Sequence, residues 1–449
     1  MTKKLDKNNK IRGSGYYLFD ILKSDYKKYY SFVESRQLDA EENLEFLEFQ
    51  KSYFKKNRQL PYKDEITKIN LSQINTNNPL FSSAAKKEIE YFNSKQTLVK
   101  KLPNISETLI QKLNTDINKA LNLNNTFNKY VKIEGTKYNE LDVFPITGMY
   151  FVPSFLELVE QNKDYIKKYM TLLLDLAPNQ DIYVSPHIYR VEKGQSGTFL
   201  HNDFNQHVID NFDALKNIEN GRKVLFYHLA LTDITQDTCS LIVYPGTHQE
   251  FVTYPYALQY IIDNNYFHNA EEETNLLKAF YLAKKGLNGL PARLCILNKY
   301  YINKYKDNIE GITAYLQRGE GIFFNPFALH SSHITHQEDK PRITVAIRAT
   351  TTPTKFFKQE YFDFLTHSLA TIFNLDYEDF LNILYDGKEA NKNQYLEILL
   401  TNDSNNSNIT TSNMRKLFYK ASEFFKTEEF IVSPDTLKKV QHYLKIYNT

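Results

Sequence analysis

The chain has 449 residues, more than one hydrophobic core usually serves, which points to two or three domains. A formal net charge of +2 leaves no global field to draw in nucleic acid, and no apolar run reaches membrane-spanning length, since Asp175 interrupts the longest one around Leu172 to Leu176. Cys239 and Cys295 are too few for a disulfide framework or a thiolate metal site, and no apolar stretch follows the N-terminal charges, so a soluble protein of the reducing cytoplasm is expected.

The opening, with Lys3, Lys4, Lys7 and Lys10, reads as a short basic disordered terminus over residues 1–15. Helical patterns then prevail from about Tyr16 to Val131. The segment Asp39 to Lys56 begins acidic and ends basic, which suits a helix dipole. Within it Leu44, Leu47, Lys51 and Phe54 share a stripe, and Phe46, Phe49 and Tyr53 widen the apolar face. Further amphipathic stretches cover Lys86 to Phe92 and Ile105 to Leu121.

The pattern changes after Val143. Short β-prone runs follow at Asp181 to Val191, Val224 to Leu231, Ser240 to Tyr244, Arg293 to Leu297, Gly321 to Phe324 and Arg342 to Ala349. Turn signals separate them at Lys193-Gly194, Pro245-Gly246 and Asn325-Pro326. Many short strands without regular intervening helices predict an antiparallel sandwich or barrel, with Tyr254 to Ala283 as a mostly helical insertion. From Thr354 the chain reads as helical again, with a polar loop at Asn402 to Asn413.

Residues two apart on a strand face one side, so His201 and Asp203 can point at one ion. Alone the triplet carries little. Among eleven His, a His-x-Asp or His-x-Glu is expected roughly once by chance, and His248-Gln-Glu250 and His336-Gln-Glu338 are further examples. A buried-type strand, Gly319 to His330, adds a second imidazole, and two His with one carboxylate on one face suit non-haem Fe(II) with open positions. A keto diacid such as 2-oxoglutarate would fill two of these and leave one for O₂. Its far carboxylate needs a fixed guanidinium, and Arg342 stands on the following strand. Arg348 shares that face but lies about 20 Å further along the strand, so one of the two is expected to serve, and Arg342 is the better placed. His333 and His336 fall in a polar turn, while His187, His207, His228 and His248 read as packing or hydrogen-bonding residues.

From about Asp181 to Thr350 the chain resembles the phytanoyl-CoA dioxygenase family of Fe(II)/2-oxoglutarate oxygenases. Four blocks carry the likeness: Gly194 to Phe204 with its His-x-Asp pair, Leu229 to His248 ending in Pro-Gly-Thr-His, Gly319 to His330, and His330-Ser-Ser followed by Arg342. Ser331 stands where the family has Gly, and Cys239-Ser240 replaces a Gly-containing turn. The resemblance implies a double-stranded β-helix (jelly-roll) core, metal ligands His201, Asp203 and His330, and 2-oxoglutarate contacts from Arg342 and Ser332. It further implies C–H hydroxylation with conversion of 2-oxoglutarate to succinate. Related halogenases lack the carboxylate ligand, so Asp203 favours hydroxylation or another oxidation.

The run Phe32 to Phe49, containing Glu42-Asn43-Leu, resembles a helix of regulator-of-G-protein-signalling domains, and Asn124 to Val131 is a looser echo of their closing block. That likeness implies a helical bundle with Glu42, Asn43 and Asn70 facing a Gα partner, although Asn replaces the Asp of the closing block. Glu42 and Asn43 are equally read as the start of an amphipathic helix. The expected architecture is therefore multidomain α+β, with a helical domain at 16–135, an oxygenase domain at 140–352 and a helical extension at 353–449. Its substrate is a small molecule or a carrier- or protein-bound group. The alternative is a signalling or scaffold protein that docks a partner through the helical domain and binds a ligand in the β-helix without turnover.

Overall fold

The structure, a computed structural model, describes residues 10–61, 68–70, 82–118, 153–177, 180–203, 223–285, 289–306, 308–351 and 398–400. Two antiparallel sheets form its centre. The larger has the order β12-β4-β11-β5-β9-β3, built from Ile398–Leu400, Ile182–Val191, Arg342–Thr350, Val224–Ala230, Glu320–Phe324 and Thr97–Lys101. The smaller has the order β1-β8-β6-β10, built from Ile11–Tyr17, Glu310–Ala314, Ile242–Val243 and His330–Ser331. A short ribbon pairs β2 (Lys68–Asn70) with β7 (Glu250–Val252).

Alternation along the central strands separates two environments. In β5 and β11, Leu225, Tyr227, Leu229, Ile343, Val345 and Ile347 join one apolar cluster. Helices α3 (Ser83–Lys95), α4 (107–118) and α5 (Pro153–Leu174) cover that outer face. Full burial of each such aliphatic side chain is worth about 2 kcal/mol. The intervening positions of the same strands carry Phe226, His228, Arg342, Thr344 and Arg348, which therefore share the inner face toward the smaller sheet. That polar row inside a β-sandwich is where a site belongs.

On the far side of the smaller sheet, α1 (Leu18–Ser35), α2 (Ala40–Lys55), α6 (Tyr254–Asp263), α7 (Ala270–Lys285) and α8 (Gly289–Lys304) build a second apolar cluster that includes Ile242, Tyr244, Leu200 and Leu329. Helix α2 starts at a capping box in which Asp39 accepts from the Glu41 and Glu42 backbones and Glu42 answers to the Asp39 N–H. Among the described residues no helix is long and apolar enough to cross a membrane.

Several expectations are corrected. Residues 16–118 are not a separate bundle, because β1 and β3 pair with β8 and β9 in the two central sheets. Gly13, Ser14 and Gly15 hide β1 from periodicity, yet a Cβ at Gly13 would meet the Glu310 side chain of its partner strand. Arg293 to Leu297 lie in α8, not in a strand. Ala, Arg and Leu favour helix, Pro291 fits the first turn, and burial around the whole helix removes the amphipathic signal. On α2 the buried face is Phe46 and Tyr53, while Leu44, Leu47 and Phe54 are 65%, 41% and 50% exposed. The aromatic face wins because Phe46 and Phe49 pack on Tyr281 and Phe280 at 5.7 and 5.8 Å. The expected helical tail lies outside the described residues except for Ile398–Leu400, which form strand β12 beside β4. Asn124 to Val131 also lie outside the described residues.

Candidate metal centre

His201 and His330 face each other across a single antiparallel bridge, each backbone N–H donating to the other's carbonyl at 2.9 and 2.8 Å. This bridge continues the smaller sheet beyond β10. The Asp203 N–H donates to Pro326 O at 3.1 Å and fixes the carboxylate beside both rings. His201 Nε2 and His330 Nε2 each lie 3.5 Å from an Asp203 carboxylate oxygen. One donor atom from each residue lies within 4.8 Å of the other two.

The tautomers follow from the remaining ring nitrogens. Nδ1 of His201 sits 2.7 Å from Phe199 O and Nδ1 of His330 sits 2.8 Å from Ala328 O. A carbonyl can only accept, so both Nδ1 atoms carry hydrogen and donate, and both Nε2 atoms turn to Asp203. Burial, then the neighbouring His201, lowers the His330 pKa to about 4, which keeps its ring neutral near pH 7. Burial works against ionising Asp203, but His330, His201 and Arg348 outweigh it and hold the carboxyl well below its ordinary range. Among the described residues no hydrogen-bond donor reaches the buried Asp203 Oδ2. Two imidazoles and one carboxylate fit a divalent cation, and the N₂O donor set fits Fe(II).

The residues expected to hold 2-oxoglutarate gather at one end of this site. Arg342 is 5% exposed and donates through Nη1 to Cys239 O, and its buried Nε meets no acceptor among the described residues. Among the described residues no carboxylate pairs with it, and burial works against its charge. An incoming carboxylate would relieve that penalty. Ser332 lies two residues beyond His330, and its hydroxyl accepts from the Thr198 N–H at 2.8 Å, which leaves its own hydrogen to donate. Cys239 ties the two together, since its thiol donates to Ser332 O at 2.8 Å. Gly197 allows the close pairing, because a Cβ there would collide with the Ser332 side chain.

Arg348 also reaches the centre, contrary to the expectation that only one arginine could. Its Nη2 stands 3.9 Å from Asp203 Oδ1 and 3.4 Å from Tyr189 Oη, with the guanidinium 4.9 Å over the Phe226 ring. His228, likewise treated as a packing residue, is half-buried beside Tyr189, and among the described residues its Nε2 meets no hydrogen-bond partner. Backbone spacing alone could not show this, because long side chains lean along a strand.

Other candidates have separate roles. Ser331 Oγ lies 2.6 Å from His333 Nδ1, and His336 Nε2 lies 2.7 Å from Lys340 O. His248 is buried in a turn away from the carboxylate. Glu42 closes the α2 capping box and faces Arg36 at 3.4 Å, Asn43 is exposed on the first turn of α2, and the Asn70 backbone pairs with Glu250. Nothing in these contacts supports a regulator-of-G-protein-signalling surface.

No family model matches the chain, and no curated protein does. Among solved structures it is similar to the non-haem alpha-ketoglutarate-dependent epimerase SnoN from nogalamycin biosynthesis, at 10% identity, covering 60% of this chain and 82% of that one, with a TM-score of 0.35. HygX from Streptomyces hygroscopicus with nickel and 2-oxoglutarate bound is similar at 11% identity, 59% and 85% coverage and a TM-score of 0.33. EvdO2 from Micromonospora carbonacea var. aurantiaca complexed with 2-oxoglutarate matches at 10% identity, 65% and 96% coverage and a TM-score of 0.34. Scores this low carry no functional weight, so the reading rests on the chain's own side chains.

Proposed function

We infer that this protein is an Fe(II)/2-oxoglutarate-dependent oxygenase that hydroxylates an unactivated C–H bond of a small-molecule or carrier-bound substrate. The observation that carries this reading is the convergence of two Nε2 atoms and a carboxylate inside a β-sandwich, with a buried guanidinium on the next strand that meets no carboxylate among the described residues. His201, Asp203 and His330 would hold the metal, and Arg342 with Ser332 would take the far carboxylate of 2-oxoglutarate. With both bound, O₂ is reduced as 2-oxoglutarate loses CO₂ to become succinate, and the oxidising power released breaks the C–H bond.

The protein's share is geometry and dryness. Carbonyls of Phe199 and Ala328 hold the imidazoles in the ligating tautomer. The Phe199 ring packs beside His201 at 5.3 Å and Phe324 edges onto His330 at 5.0 Å, so apolar rings exclude water from the metal's flank. A carboxylate at position 203 leaves no ligand position for halide, which favours hydroxylation.

Succinate production from 2-oxoglutarate, with Fe(II), ascorbate and O₂, tests the reading directly. Wild type should show slow turnover even without prime substrate, Asp203→Ala essentially none, and Arg342→Ala a much higher 2-oxoglutarate requirement. Equal rates in the three proteins would exclude the site.

A further inference from the structure

Helix α2 carries two apolar stripes, and the fold buries one of them. Phe46, Phe49 and Tyr53 pack on α7, and Glu45 anchors the same flank through Tyr281 and Lys285. Leu44, Leu47, Lys51 and Phe54 turn away from that contact and are exposed. Of the five large apolar side chains exposed among the described residues, three stand in this one stripe, so the exposure is concentrated and not scattered. The stripe advances by three, four and three residues, the spacing of a and d positions in a heptad. Such a seam suits a second helix lying along the first.

The charges beside the seam decide what that helix is. Exposed Glu41 and Glu48 flank its N-terminal part, and exposed Lys51 and Lys55 flank its C-terminal part. An antiparallel copy of the same helix sets acid against base at both ends, whereas a parallel copy sets like against like. We propose that α2 pairs antiparallel with α2 of a second copy of this chain, across a two-fold axis midway along the helix. Leu44 then packs against Phe54 of the partner subunit, and Glu41 meets Lys55 of the partner subunit. Lys51 lays its aliphatic stem on Leu47 of the partner subunit. Its ammonium reaches Glu48 of the partner subunit and offsets the meeting of the two like carboxylates near the axis. A two-fold contact is self-complementary, so it closes at two chains and uses the whole stripe. The helix of 16 residues is about 24 Å long, which keeps the contact at the small end of specific interfaces and the dimer reversible, with a dissociation constant on the order of micromolar.

Sedimentation velocity of the full-length protein, over a concentration series spanning about 0.5 to 100 μM, tests the pairing. Wild type should pass from monomer to dimer as concentration rises. Leu47→Asp should stay monomeric throughout and keep the wild-type Tm at the lowest concentration, because its side chain is exposed in the monomer. Glu41→Lys and Lys55→Glu should each weaken the dimer by about tenfold, since each puts like charges together at both ends. An equimolar mixture of those two variants should recover the wild-type dimer. In the mixed pair one end joins the two reversed charges and the other joins the two native ones. A wild type that is monomeric over the whole series would overturn the proposal. So would a dimer that survives Leu47→Asp, which would place the contact elsewhere. Variants that are folded by circular dichroism yet fail to recover on mixing would overturn the antiparallel register. A lowered Tm in Leu47→Asp would show the stripe covered by another segment of its own chain, and would overturn it as well.

Discussion

A histidine placed in a sandwich wall must either find partners or stay neutral, and this chain shows both solutions. His201 and His330 donate through Nδ1 to carbonyls two residues back and turn Nε2 toward Asp203. His248, 4% exposed in its turn, has its pKa lowered to about 4 by burial and lies outside the metal site. The unfolded chain binds that proton near pH 6.5 and the folded chain only near 4, so the unfolded state gains as pH falls between them. The stability is full above pH 6.5 and declines toward pH 4, by at most about 3 kcal/mol for this group. Urea midpoints at pH 7.5 and 5.0 should differ less in His248→Gln than in wild type; an unchanged difference would show that His248 titrates normally. At this scale the three residues that the structure gathers into a candidate metal centre were legible in the sequence, since metal chemistry requires those residue types and strand alternation aligns 201 with 203. The reach of Arg348 was not, because the direction of a six-bond side chain is set by Phe226, Tyr189 and Asp203, none of them its sequence neighbours.

Among the elements, α2 shows how periodicity alone misleads. Leu44, Leu47, Lys51 and Phe54 make one helical stripe and Phe46, Phe49 and Tyr53 another, and nothing local decides between them. Tertiary packing against α7 selects the aromatic one, with Tyr53 donating to the buried Glu273 at 2.9 Å. Phe46→Ala should therefore cost about 3 kcal/mol, as large-to-small changes in a core do. Leu44→Ala should stay within about 0.5 kcal/mol. Chemical denaturation of the two variants checks the pair, and equal losses would mean that both faces are covered. Strand β1 was hidden for a similar reason: its pairing with β8 is a long-range choice, and two glycines leave no side-chain pattern to read. In contrast β5, β9 and β11 announced themselves, because strands buried on both faces carry nearly continuous apolar and β-branched runs.

At the scale of the molecule, segments distant in sequence close one sandwich. The described N-terminal residues supply an edge strand to each central sheet, so the helices before residue 118 are packed onto the sandwich and are not an independent module. The antiparallel core was foreseeable from short strands and turn signals, while the pairing of β1 and β3 into the central sheets was not, since hydrophobic pattern does not reveal which sheet a strand joins. What this architecture achieves is to bring residue 330 against residues 201 and 203, under a polar inner wall. Anaerobic titration with Fe(II), followed by the rise in Tm, measures that convergence most directly. Wild type should bind one ion per chain and gain thermal stability, whereas His201→Ala, Asp203→Ala and His330→Ala should each lose most of both. Undiminished binding in either Asp203→Ala or His330→Ala would contradict the account.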